Sequence, residues 1–138
     1  MNIYKLMHFH FLSPSGDVKT LGFFSDLLHA KMAKNQYLSL PGFGEHPNGF
    51  FVDRIETNIQ NVVDTIYEAS VVLRNEDYSF ELIVFNAIRF ERVGAQSALE
   101  NFMKENELFL KKTNLIVEST VDTYIINDNH WEGGFISE

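Results

Sequence analysis

Residues 3–12, IYKLMHFHFL, constrain the fold more than any other stretch of this chain. Successive side chains on a β-strand point to opposite faces. One parity set is Tyr4, Leu6, His8, His10 and Leu12, and the other is Ile3, Lys5, Met7, Phe9 and Phe11. Both sets are largely apolar, so the segment reads as a central strand covered on both sides.

The order of elements follows from this strand. SPSGD at 13–17 has the composition of a turn, and residues 18–24 return as a second strand, forming a hairpin. Ser25 is available to cap a helix, with Asp26 favourable in its first turn. Leu27, Ala30 and Tyr37 lie on one helical line, with Leu28 and Met32 on the next. Pro41 and Gly42 end the helix, and residues 50–56 form a third strand.

The second half repeats this order. Residues 66–73 read as a strand with Tyr67, Ala69, Val71 and Leu73 on one face, RNEDY as a turn, and residues 79–85 as the returning strand. Ser97 and Glu100 have the S-x-x-E spacing of a capping box. Leu99, Phe102, Met103 and Leu110 follow at helical spacing. Leu115, Val117, Val121 and Ile125 alternate with polar residues on a final strand. The expected fold is α+β, β-β-α-β twice. It is an antiparallel or mixed sheet with both helices on one side, forming a single domain over residues 1–138. Element order repeats between the halves, whereas sequence does not.

A chain of 138 residues that is 45% hydrophobic, with thirteen Phe and five Tyr, can bury one aromatic-rich core. The absence of cysteine excludes disulfides, thiol nucleophiles and thiolate metal sites. No apolar run approaches membrane-helix length, and MNIYKLMHFHF lacks the pattern of a secretory signal, so a cytoplasmic protein is expected. The net charge is −8. Residues 1–69 hold five Lys+Arg against seven Asp+Glu, and residues 70–138 hold six against twelve, so the second half carries most of the excess. Direct nucleic-acid binding needs a basic surface, so an acidic face suited to a cationic partner fits better.

Three stretches could carry chemistry. The loop LPGFGEHPNGFF at 40–51 contains G-x-G, but its glycines feed a strand. Phosphate cradles instead place backbone N–H groups at a helix N-terminus. The loop therefore reads as fold-shaping: Pro41-Gly42 stops the helix, Asn48-Gly49 turns the chain, and Phe43 and Phe50 plug the helix against the sheet. His8 and His10 share a strand face and could ligate one metal, with His46 and His130 as further donors. Their apolar neighbours favour ordinary core histidines. No G-x-S-x-G nucleophile motif occurs, so no catalytic residue, metal site or cofactor is assigned. The C-terminus, NDNHWEGGFISE, holds the single Trp. Trp131 and Phe135 either tie the terminus onto the sheet, or Trp131 is an exposed anchor flanked by Asp128 and Glu132.

Two resemblances rest on these residues. The pieces His8 to Phe11, Lys19 to Ser25, Pro41 to Phe50, and Trp131 with Gly134-Phe135 resemble a group of small uncharacterised bacterial proteins. Those proteins carry a P-G-F-x-x-x-P-x-G-F loop between a helix and a strand. Residues 57–128 are more elaborate than that pattern, and an added function is expected there. In type, the chain resembles an immunity protein of a bacterial polymorphic-toxin or contact-dependent inhibition system. That likeness implies a protein that binds a cognate toxin domain, often a basic nuclease, and covers its cleft. The partner-binding residues expected on this reading are Glu76, Asp77, Asp122, Asp128, Trp131 and Glu132. The alternatives are a metal-binding module or metal-dependent enzyme centred on His8 and His10, and a small-molecule-sensing domain. A long aromatic edge strand could also support a homodimer.

Overall fold

The computed structural model describes residues 2–11, 16–57 and 63–135. The chain is α+β, with two three-stranded antiparallel sheets and their helices. The expected single sheet is replaced by two. The first runs β2-β1-β3, from β1 (Asn2–Phe11), β2 (Gly16–Phe24) and β3 (Phe50–Glu56); the second runs β5-β4-β6, from β4 (Thr65–Arg74), β5 (Glu81–Arg89) and β6 (Ile116–Ile125). The backbone divides into two compact units. Of the described residues, unit 1 holds 2–11, 16–57, 63–64 and 124–135, and unit 2 holds 65–123. The turn expected within 13–17 lies mostly outside the described residues.

In unit 1, β1 is the central strand, as its two apolar faces demand. On one face Leu6 packs with Leu21, Phe24, Phe43 and the α1 residues Ala30, Ala33 and Tyr37. On the other, Ile3 and Phe23 are buried, and the Phe23 ring meets Tyr124 at 4.8 Å. Helix α1 (Leu27–Leu38) begins one residue later than expected: Asp26, not Ser25, is the N-cap, and its carboxylate accepts from the His29 N–H at 2.8 Å. The inward line is Ala30, Ala33 and Tyr37, while Leu28 and Met32 are exposed. Residue 28 sits about 200° around the helix from residue 30, so it faces away. Small alanines let the helix approach the sheet, and Tyr37 fills the remaining depth.

In unit 2, Ala69 and Val71 of β4 pack against Ala95 and Leu99, with Phe85, Phe102, Val117 and Val121 around them. Helix α2 (Arg92–Glu105) starts at the Glu91 N-cap, so Ser97 and Glu100 are mid-helix residues and form no capping box. Glu100 instead accepts from Gln96 one turn earlier, at 3.2 Å. The buried line begins with Ala95, which sets the helix start upstream of Ser97. At Asn106 the helix breaks into the short α3 (Glu107–Lys112), and Asn106 Nδ2 donates to the Phe102 carbonyl at 2.9 Å. On β6 the inward parity changes along the strand. Val117 and Val121 face the unit 2 core, but Ile125 is exposed and its neighbours Tyr124 and Ile126 are buried.

Candidate interaction surface and the histidine cluster

The hairpin joining β4 to β5 gathers exposed apolar and acidic side chains on one short element. Glu76, Asp77 and Glu81 are exposed, and beside them Tyr78 is 55% and Phe80 45% exposed. Leu82 and Ile83 continue the apolar exposure along β5. The turn is closely tied. Asn75 N–H donates to the Phe80 carbonyl at 3.2 Å, Tyr78 N–H to the Asn75 carbonyl at 3.3 Å, and Phe80 N–H to Asn75 Oδ1 at 3.1 Å. Asp77 accepts from the Ser79 hydroxyl at 2.7 Å and from its N–H at 3.1 Å. These bonds, the hydroxyl one first, hold the Asp77 carboxyl below its usual pKa. Tyr78 has φ +60°, a left-handed conformation that is uncommon for a bulky residue. Its ring lies 4.1 Å from the Arg74 guanidinium, which is itself ion-paired to Glu118. The exposed aromatic is therefore pre-positioned.

The six residues expected to meet a partner divide between the units. Glu76, Asp77 and Asp122 belong to unit 2, and Asp128, Trp131 and Glu132 to unit 1. All five carboxylates are exposed. Trp131 is not an exposed anchor. It is partly buried against the unit 1 core, its indole Nε1 is enclosed, and its ring covers the Lys19 ammonium at 5.1 Å. The terminus is tied down, as the first of the two sequence readings has it. Phe51 and Phe109 are exposed elsewhere, and the exposed aromatics on the β4–β5 hairpin are Tyr78 and Phe80. The sequence held a signal for them, since two aromatics flank a polar turn whose neighbours are acidic.

The second concentration of chemistry is in unit 1. His8 and His10 do share a face, with ring centroids 6.0 Å apart, and they are 0% and 4% exposed. Phe43, Phe50 and Phe135 surround His8 at 5.0, 4.7 and 5.6 Å. Phe135 stacks on His10 at 4.4 Å, and His46 lies 5.2 Å from His10. His8 Nε2 donates to the His46 carbonyl at 2.9 Å. A carbonyl only accepts, so Nε2 carries the proton and Nδ1 is the bare nitrogen. Burial, then the nearby His46 and Lys19 charges, hold His8 below the usual histidine pKa, although its bond to the His46 carbonyl works the other way. Burial, then Lys19, His46 and His8, lower His10. Burial also lowers Lys19.

Among the described residues no group of three or more His, Cys, Asp or Glu is arranged to hold a metal. His130 stacks on Tyr124 at 4.4 Å. A cavity of about 330 Å³ is lined by Phe9, His10 and the loop residues Glu45 to Gly49. It lies at the loop preceding β3. The loop itself shapes the fold. Gly42 has φ +82°, and a Cβ there would lie 2.5 Å from the Phe135 carbonyl oxygen.

No protein-family model, no curated protein and no solved structure matches the chain. Among the described residues, unit 2 lies within residues 57–128. No helix among the described residues is long and apolar enough to cross a membrane.

Proposed function

We propose that the protein is an immunity-type inhibitor that binds a cationic toxin domain and neutralises it by covering its cleft. The observation that carries this reading is the β4–β5 hairpin, where pre-positioned Tyr78 and exposed Phe80 stand among Glu76, Asp77 and Glu81. Interfaces draw most of their energy from a few aromatic anchors, while like-signed charge around them speeds capture of an oppositely charged partner. The net charge of −8, concentrated in residues 70–138, supplies the long-range part of that attraction. A basic nuclease domain is the partner of this chemistry.

The test is co-purification with the product of the gene immediately upstream, scored with rescue of growth. One-to-one capture of a basic domain together with rescue supports the reading; no capture and no toxicity would remove it. The surface is tested separately. Asn tolerates the left-handed conformation at position 78, so Tyr78→Asn removes the ring and keeps the turn. It is expected to weaken partner binding by about 30-fold, and Phe80→Ala by a similar factor. If titration calorimetry shows both variants binding like wild type, the hairpin is not the contact surface even where capture stands.

A further inference from the structure

The C-terminal segment 127–135 lies across unit 1 as a strap. Its backbone is stitched to three places: Asn127 N–H to the Phe23 carbonyl at 2.8 Å, His130 N–H to Leu21 at 2.7 Å, and Phe135 N–H to Pro41 at 2.9 Å. The buried Tyr37 hydroxyl donates to the Trp131 carbonyl at 2.6 Å. Its two large rings, Trp131 and Phe135, seal the Lys19 ammonium and the His10 imidazole.

This seal is built around a neutral His8 imidazole. His8 Nδ1 is buried with no hydrogen-bond partner, which costs little for a bare nitrogen inside phenylalanine rings. A proton placed there would add an N–H without an acceptor and a charge without water. The residues bordering the cluster come from several elements. Lys19 of β2 pairs in register with His8, and Asp17 with His10. The loop before β3 supplies Glu45 and His46. From α1, the Lys34 ammonium lies over Phe50 at 5.8 Å. The strap supplies Glu132. Lys19 and His46 both act on the two imidazoles to oppose protonation. Phe135 already faces the Lys19 ammonium at 4.5 Å, so a proton on His10 would set a second cation beside the first.

We propose that the strap is a pH-released latch: it stays seated on the His8–His10 face while those imidazoles are neutral and lifts away when they take up protons. Lifting frees Trp131 and Phe135 and opens the aromatic face beneath them. This proposal is independent of the toxin-binding reading.

Trp131 is the only tryptophan, so its fluorescence reports on the strap alone. Full-length protein is titrated from about pH 8 to pH 4.5, spanning the histidine range. Emission is followed beside far-ultraviolet circular dichroism, with amide exchange measured at His130 and Phe135. The expected result is a red shift with its midpoint below 6.5, at pH values where the dichroism is unchanged. Exchange protection at the His130 and Phe135 amides should fall by at least about tenfold over the same interval. In His8→Gln/His10→Phe, Gln can still donate to the His46 carbonyl and Phe can still stack on Phe135, so the red shift should vanish. Emission that changes only together with the dichroism, that does not change, or that shifts equally in the double variant would overturn the latch. Should the double variant fail to fold, amide exchange in the wild type decides: loss of protection at His130 and Phe135 ahead of the β1 amides supports it, and simultaneous loss refutes it.

Discussion

A buried tyrosine hydroxyl that donates to a backbone carbonyl cannot ionise without losing that bond and gaining an unsolvated charge. Tyr37 is 1% exposed, and burial first, with Glu132 adding to it, pushes its pKa up to about 12 from 10.0. In the unfolded chain the phenol ionises at the ordinary value, so this contribution to stability is intact below pH 10 and is lost as the pH rises towards 12. A shift of this size is worth about 2–3 kcal/mol. Alkaline denaturant titration of wild type beside Tyr37→Phe should show the loss in wild type only; equal slopes would mean the hydroxyl is solvated. The imidazoles have the opposite dependence. His8 and His10 are held below 6.5, so the unfolded chain binds more protons than the folded one, and stability falls as the pH drops through 6.5. Urea midpoints at about pH 7.5 and pH 5.5 check the sign; a midpoint that rises on acidification would contradict burial of both rings.

At the scale of elements, local chemistry marks boundaries and packing chooses among them. Asp26 reaches the His29 N–H, so Asp26→Ala should cost about 1 kcal/mol, read from a urea midpoint. Ser25→Ala should cost less, since Ser25 bonds through its hydroxyl and N–H to exposed Asn127 Oδ1 and caps nothing. Gly42 is a harder case. Its φ of +82° disfavours a side chain, and the Phe135 backbone occupies the space a Cβ needs. Gly42→Ala should destabilise unit 1 by more than about 1 kcal/mol and loosen the C-terminal segment, visible as a red-shifted Trp131 emission at neutral pH. An unshifted emission would show that loop and strap are not coupled through this contact. The mid-helix S-x-x-E at Ser97 shows the limit of local patterns, because the same four letters satisfy a helix surface once Ala95 and Leu99 have set the inward line.

For the whole molecule, charge and core have separate consequences. If the partner is the proposed cationic domain, a net charge of −8 makes association fast at low salt, and screening shortens its reach to about 10 Å at 0.1 M. Stopped-flow association rates should therefore drop about tenfold or more between low and physiological ionic strength, with dissociation changing much less. A salt-independent association rate would show that the acidic excess has no part in capture. The sequence by itself determined the α+β class, the central position of β1, the shared face of His8 and His10, the fold-shaping role of the loop at 40–51 and the acidic second half. Each is read from alternation, turn chemistry or charge, which act between near neighbours. Only the tertiary structure decided that there are two sheets, that Trp131 folds inward over Lys19 while Tyr78 stands out beside Arg74, and that Phe135 closes the histidine cluster. Those outcomes depend on contacts between residues as far apart as Tyr37 and Trp131, and no local periodicity encodes which distant apolar surface a ring will cover.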